Sequence, residues 1–351
     1  MTARNMRSPF ASVVSVSLAT VAAALALGFS PAGAQTPEEF FEGRDITLYI
    51  GTAPGGGYDN FGRLVSRHIG KYIPGNPTLV PVNMEGAGSL KLANWLYNAA
   101  PRDGTALAVM NRGTAFEPLI GMQELTRFDA TKFTWIGTPT NDRSVCVAWN
   151  TFGLDHFDDL YERPIFVGST GGGSGTDVFP KIINGTLGTQ MRVVSGYPGG
   201  NDIDFAMERG EVDGRCSWSW SSILSGKKDW LDQGLITPFL QLSLDQNPDL
   251  PHVPNIMDLA RTEEHSQIFR LMFARETLGY PFLGPPDIPP DRIAVLRQAF
   301  QDTMRDPEFL DEATRSRLTI NPVDGAEIED LVIELYATPE PVIEKTRSIL
   351  R

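Results

Sequence analysis

Residues 45–69 read DITLYIGTAPGGGYDNFGRLVSRHI. Asp45 to Gly51 is rich in β-branched and aromatic residues and stops at glycine, which predicts a strand. Ala53, Pro54, Gly55, Gly56, Gly57, Tyr58 and Asp59 follow as a tight loop. Beyond them Phe61, Leu64, Val65, His68 and Ile69 fall at i, i+3, i+4, i+7 and i+8, the spacing of an amphipathic helix. His68, on the apolar face of that helix, is expected to pack or cap rather than to hold a metal.

The same alternation continues on the C-terminal side. Thr78 to Val82 reads as a strand, Gly86-Ala87-Gly88-Ser89 as a loop, Leu90 to Ala99 as a helix and Thr105 to Met110 as a strand. Residues 45–110 therefore run β-α-β-α-β, which implies a parallel sheet with helices on its faces. A second such unit begins about 120 residues later. Pro164 to Gly168 is a strand, Ser169 to Asp177 a glycine-rich loop, and a helix follows to about Leu187. Met191 to Ser195 is a strand, Gly196 to Asn201 a loop, Asp202 to Arg209 a helix and Val212 to Cys216 a strand. Two units at this distance indicate two α/β lobes rather than one long sheet. The length of 351 residues agrees, because single cores stop growing at roughly 250–300 residues. The C-terminal part is helical, with Ile293, Leu296, Phe300 and Met304, and later Ile328, Leu331, Val332, Leu335 and Tyr336, at helical spacing. Pro281 to Pro290 holds five prolines and reads as a rigid connector.

The N-terminus has a separate character. Arg4 and Arg7 precede an uncharged apolar stretch from about Ala11 to Phe29, and Ala32-Gly33-Ala34 is an A-x-A cleavage pattern. This predicts a signal peptide, residues 1–34, cleaved after Ala34, and hence an exported, periplasmic chain. An uncleaved anchor is the alternative, since the apolar run approaches spanning length. The whole chain has 30 basic and 43 acidic residues; loss of the two leader arginines leaves a net charge of −15. Such a balance argues against nucleic acid as a partner. It also requires that any anion site be built locally, from backbone N–H groups or a placed arginine.

Strand, glycine-rich turn and helix together aim free N–H groups at an anion, with the helix dipole adding partial positive charge. The pattern occurs at Pro54–Asp59, at Gly86–Ser89 and at Ser169–Thr176, over both lobes. Nucleotide fingerprints are absent: there is no G-x-x-x-x-G-K-[ST] and no G-x-G-x-x-G. The four histidines are scattered and no serine lies in G-x-S-x-G, so no catalytic constellation is visible. Cys146 and Cys216 are the only cysteines. Both fall in expected strands, where antiparallel neighbours about 4.5–5.5 Å apart suit a bridge. One disulfide and two buried free thiols fit the sequence equally well.

Read together and in order, several segments resemble the substrate-binding proteins of tripartite tricarboxylate transporters, the Bug-type periplasmic receptors. They are Ile46-Thr47-Leu48 into Pro54–Asp59 with Arg63-Leu64, Val82-Asn83 to Gly86-Ala87-Gly88, and Ala100-Pro101-Arg102-Asp103-Gly104-Thr105. Further on they are Gly168-Ser169 to Gly175-Thr176, Gly199-Gly200, Gly210-Glu211-Val212-Asp213 and Pro285–Arg292. The resemblance implies an α/β, two-lobed periplasmic binding protein of the second structural type, a Venus flytrap. Each lobe would be a mostly parallel sheet flanked by helices. Lobe 1 would be discontinuous, residues 35–138 and 265–351, around lobe 2 at 139–264, with crossings near 135–142 and 262–280. It implies a non-catalytic receptor without a cofactor, working as a monomer. A small organic carboxylate would be its ligand and the membrane subunits of a transporter its partner.

The ligand site so implied comprises Ala53, Pro54, Gly55, Gly56, Gly57, Tyr58 and Asp59 of the first loop, with Gly86 and Gly88 of the second. From lobe 2 it takes Ser169, Thr170, Ser174, Gly175 and Thr176. Arg112 and Thr114, just past the third strand, are added as side chains within reach of the cleft; Arg112 as a surface residue is the other reading. Trp218 and Trp220 are expected to pack. The chain departs from the family at Thr52-Ala53-Pro54, at Tyr58 and at Asn83-Met84-Glu85-Gly86, where Glu85 disfavours a highly charged ligand such as citrate. The rival functions are an extracytoplasmic ligand sensor and an exported α/β hydrolase.

Overall fold

The computed structural model describes residues 1–2 and 35–351, apart from 122, 142, 155, 172 and 198. The expected leader and its cleavage site lie outside the described residues.

The first stretch folds as its pattern dictates. Strand β1 (Asp45–Ile50) buries Ile46, Leu48 and Ile50 on alternate positions. A loop leads into the helix Gly57–His68, which buries Phe61, Leu64 and Val65. Strands β2 (Thr78–Asn83) and β3 (Ala106–Val109) lie parallel to β1 on either side, and the helix Leu90–Asn98 connects them. Strands β4 (Thr134–Thr138), β10 (Phe282–Gly284) and β11 (Val323–Asp324) complete a six-stranded sheet of order β11-β4-β10-β3-β1-β2.

The second sheet repeats the scheme. Strands β6 (Ile165–Ser169), β7 (Met191–Ser195) and β8 (Gly214–Ser219) are its parallel strands. Strands β5 (Ser144–Trp149) and β9 (Ile236–Leu242) give the order β7-β6-β8-β5-β9. In both sheets a strand that arrives from the other lobe, β10 in one and β5 in the other, inserts antiparallel beside the third parallel strand. The sheets are thus mixed, because each crossing strand must enter against the direction of its neighbours.

Each sheet is covered on both faces. In lobe 1 one core gathers Leu92, Leu96, Ile328 and Val332 and the other Leu64, Leu107, Leu296 and Phe300. In lobe 2 the cores gather Phe179, Ile182, Phe269 and Met272 on one face and Ile203, Met207, Trp218 and Trp230 on the other. Trp218 is a core residue, its ring under the Arg215 guanidinium and edge-on to Trp230.

Three details differ from the sequence expectation. The helix Glu263–Phe273, inside the expected crossing near 262–280, packs into the lobe 2 core through Ile268, Phe269 and Met272 while its Leu271 joins a lobe 1 core, so lobe 2 packing extends past residue 264. The chain also touches lobe 2 once more, through the helix Glu340–Leu350, whose Val342, Ile349 and Leu350 join that core. Finally, the proline-rich segment contains a central strand: Pro281 and Pro285 flank β10, where a three-residue strand ends and no ladder N–H is needed. The two cysteines, on adjacent strands β5 and β8, are bonded to each other.

Candidate functional site

The carboxyl ends of the parallel strands in α/β sheets are where ligands bind, because backbone N–H groups at the starts of the following helices collect there. Four helices of this chain begin directly after such strands: Gly57–His68, Leu90–Asn98, Gly175–Leu187 and Gly200–Glu208. None has a side-chain cap hydrogen bond or a proline in its first turn. Elsewhere among the described residues, every helix of eight residues or more is capped by Thr262, Asp306 or Asp324, or has a proline in its first turn. In the helix Leu90–Asn98 the turn before it already takes the Leu90 and Lys91 amides, on the Ala87 and Gly86 carbonyls. Among the described residues the other three, one in lobe 1 and two in lobe 2, keep their first two amides without a partner in the chain, at the positive ends of their dipoles.

The lobe 1 shelf is braced from beneath. Asp59 is 3% exposed and its carboxylate accepts from the Gly55 amide (2.9 Å), Arg63 Nε (3.0 Å) and Asn83 Nδ2 (2.9 Å). Burial alone would raise this carboxyl, but the hydrogen bonds from Arg63, Gly55 and Asn83 outweigh it and hold it below the usual carboxylate range. Asp59 thus shapes the loop, while Ala53, Pro54, Gly55 and Gly56 form its exposed crest. A Cβ at Gly57 would lie 2.9 Å from the Tyr280 ring, which packs edge-on to Tyr58 and tilted against Phe61, so only glycine lets the helix start this close to that ring. The Tyr58 hydroxyl accepts the Arg112 amide at 3.0 Å, and burial raises its pKa, opposed by the Arg112 charge.

The second loop is held by hydroxyls. Ser89, fully buried, donates to the Gly51 carbonyl and accepts the Asn111 amide. Thr114, also buried, donates to the Gly88 carbonyl at 3.1 Å. Gly86 opens the turn, and its carbonyl accepts the Ser89 amide. Ala87 and Ser89 take positive φ values of 45° and 79°, a strained arrangement for non-glycine residues.

The lobe 2 shelf is a knot of hydroxyls. Ser174 Oγ donates to the Gly171 carbonyl (2.7 Å), the Thr170 amide donates to Thr176 Oγ1 (3.1 Å), and the Gly171 amide donates to the buried Ser169 Oγ (3.1 Å). At Gly175 a Cβ would meet Ser217 Oγ at 2.2 Å, which fixes glycine at the start of that helix.

Between the shelves lies the floor, of which the sequence reading named only Arg112. Arg112 is drawn inward, its guanidinium 3.0 Å from Glu276 Oε1, and Ser144 donates to Glu276 Oε2 at 2.6 Å. Glu276 is 2% exposed and comes from the segment that returns to lobe 1. Beside it, Arg275 lies between the rings of Phe116 from lobe 1 and Phe179 from lobe 2, at 5.4 and 5.6 Å. Burial lowers the Arg275 pKa, and the Glu276 charge opposes that shift. The signal for this pair was an Arg-Glu dipeptide inside the apolar run Leu271 to Leu278.

His68 lies far from the cleft in role. Its Nε2 is 2.7 Å from Glu312, and the nearby Asp306 and Glu308 are engaged by Lys71 at 2.6 and 2.9 Å. No helix among the described residues is long and apolar enough to cross a membrane.

No family model and no curated protein matches the chain. Solved structures do. A TctC solute-binding protein from Polaromonas, without ligand, aligns with a TM-score of 0.66 at 16% identity, covering 86% of this chain and 99% of that one. MatC from Rhodopseudomonas palustris, with bound malate, aligns at 0.58 with 20% identity, covering 89% and 100%. An R. palustris protein with adipate aligns at 0.60 with 17% identity, covering 87% and 97%. The chain thus has the fold of the TctC-type periplasmic solute-binding proteins, two α/β lobes facing each other across a cleft.

Proposed function

We propose that this chain is an exported receptor of the tripartite tricarboxylate type, which binds a small organic carboxylate between its lobes and presents it to the membrane subunits of a transporter. The observation that carries the reading is the set of three uncapped helix starts, Gly57–His68 in lobe 1 and Gly175–Leu187 and Gly200–Glu208 in lobe 2, at the carboxyl ends of the parallel strands. A carboxylate supplies the missing caps, and the local dipoles offset the repulsion of a chain with formal net charge −13. The malate and adipate held by proteins of the same fold support this ligand class.

In this reading Gly56, Gly57 and Tyr58 offer amides from lobe 1, and Gly175 and Thr176 from lobe 2. Asp59, Gly88, Thr114, Ser169, Thr170 and Ser174 hold the loops in shape. Closure of the lobes excludes water and strengthens each hydrogen bond to the ligand.

Thermal unfolding against a panel of organic acids, followed by calorimetry on hits, tests the reading, because a ligand specific for the folded state raises the midpoint. Gly56 has an ordinary φ of −84°, and a Cβ there finds only the Ala53 carbonyl, at 3.9 Å. Gly56→Val is therefore expected to fold with an unchanged midpoint and to lose carboxylate binding, since its side chain occupies the approach to the amides. Retained affinity in that variant sinks the loop assignment.

A further inference from the structure

One charged group on the cleft floor has no hydrogen-bonded partner among the described residues. Arg275 is 8% exposed, yet among the described residues its guanidinium makes no hydrogen bond and no ion pair, and its Nε is sealed from solvent without an acceptor. The adjacent carboxylate, Glu276, is spent on Arg112 and Ser144. Glu117, on the lining of the same cavity, favours the charged form of Arg275 through space. A desolvated guanidinium without hydrogen-bonded compensation is costly to keep, and the cost falls when an anion forks onto it.

The space for that anion exists. Arg275 lines a cavity of about 310 Å³ between the lobes, which also takes in Gly113 of lobe 1 and Gly173 of the lobe 2 loop. The cavity's apolar walls are Phe116, Ile120, Val178 and Leu350, and Glu117 and Asp177 also reach its lining. Its other cation, Lys181, is already paired with Asp177 at 2.7 Å. The uncommitted donors are those of Arg275, whose planar fork matches a carboxylate in two parallel hydrogen bonds.

We propose that Arg275 grips a second acidic group of the ligand, so that the receptor takes a diacid with an apolar segment between its two acid groups. This rests on the receptor reading above, in which the helix starts hold the first acid group. The apolar walls of the cavity beside Arg275 favour methylenes over hydroxyls, since a buried hydroxyl without a partner is penalised.

Calorimetry with paired probes tests the assignment. The probes are the straight-chain diacids from succinate to suberate, the monoacids of matching length, and malate. The proteins are the wild type, Arg275→Met and Arg275→Lys. The wild type is expected to bind its best diacid at least about tenfold tighter than the matching monoacid, the scale of one charge-assisted fork. Arg275→Met is expected to lose affinity for the diacid at least about tenfold more than for the monoacid, and Arg275→Lys to fall between, keeping charge without the fork. Equal losses for both acids in Arg275→Met make the residue structural and overturn the proposal. If Arg275→Met does not fold, the wild type still decides: no preference for any diacid over its monoacid, or a preference for malate over every unsubstituted diacid, overturns it. A wild type that binds no carboxylate at all overturns the receptor reading, and this inference with it.

Discussion

Asp59 illustrates what a single residue contributes to the first loop. It stands two residues into a helix, where an acid is favoured by the dipole, but its carboxylate reaches back to the Gly55 amide and sideways to Arg63 and Asn83. The crest of the loop is shaped by a charge buried below it. Because the folded-state pKa lies below the unfolded value of about 3.9, this charge stabilises fully above that value, and the contribution is lost as pH falls through the folded-state pKa. Asp59→Asn is therefore expected to cost about 1–3 kcal/mol at neutral pH, the scale of lost charged hydrogen bonds. The gap in unfolding midpoint between wild type and variant should close on acidification below about pH 4. A gap that stays constant down to pH 3 would mean that the loop is held by shape rather than by the ionised carboxylate. The sequence pointed to this loop through its three glycines, but it could not say that Asp59 serves the loop from inside. That depends on Arg63 and Asn83 arriving from one helical turn and one strand away.

Among the elements, the repeated β-α-β-α-β units were legible because their signals are local: alternation within β1, glycine at the turn, and helical spacing from Phe61 onward. Strands β10 and β11 were not legible, for they have three and two residues and owe their conformation to neighbours supplied by distant chain. The floor residues were missed for a related reason. Arg275 and Glu276 are unremarkable as a dipeptide, and they acquire meaning only when Phe116, Phe179, Arg112 and Ser144 surround them. The state of Cys146 and Cys216 was undecided in the sequence because strand adjacency decides it, and β5 lies beside β8. The bridge spans 70 residues and is fully buried, so it ties the crossing strand β5 to the parallel part of the lobe 2 sheet. Replacing both cysteines with alanine is expected to lower stability by about 2–4 kcal/mol in urea unfolding, chiefly by freeing the unfolded chain. Dithiothreitol during unfolding should then weaken the wild type and leave the double variant unchanged. A double variant as stable as the wild type would show that the bridge adds nothing beyond the packing of two small apolar side chains.

At the scale of the whole molecule, few features join the lobes, and one of them is the last helix. Along Glu340–Leu350, Ile343 belongs to a lobe 1 core, while Val342, Ile349 and Leu350 meet the lobe 2 core. Arg347 Nε donates to the Leu119 carbonyl of lobe 1 at 2.7 Å, and Ile349 fills the space that a side chain at Gly185 of lobe 2 would need. The helix is therefore a clamp across both lobes, and Leu350 at its end also lines the cavity that Arg275 faces. Without the clamp, the lobes stay linked by the chain crossings, by the Arg112–Glu276–Ser144 chain and by the exposed Arg270–Glu334 pair, while lobe 2 loses apolar burial worth roughly 1.5–3 kcal/mol for each large side chain removed. A chain ending at residue 338 is thus expected to unfold in two calorimetric transitions, lobe 2 first, where the intact chain shows one. A ligand that contacts both lobes binds only when both are folded, so saturating diacid should draw the two transitions of the shortened chain together. A single transition at a lower midpoint, indifferent to ligand, would make the helix a contributor to stability but not the coupling between the lobes.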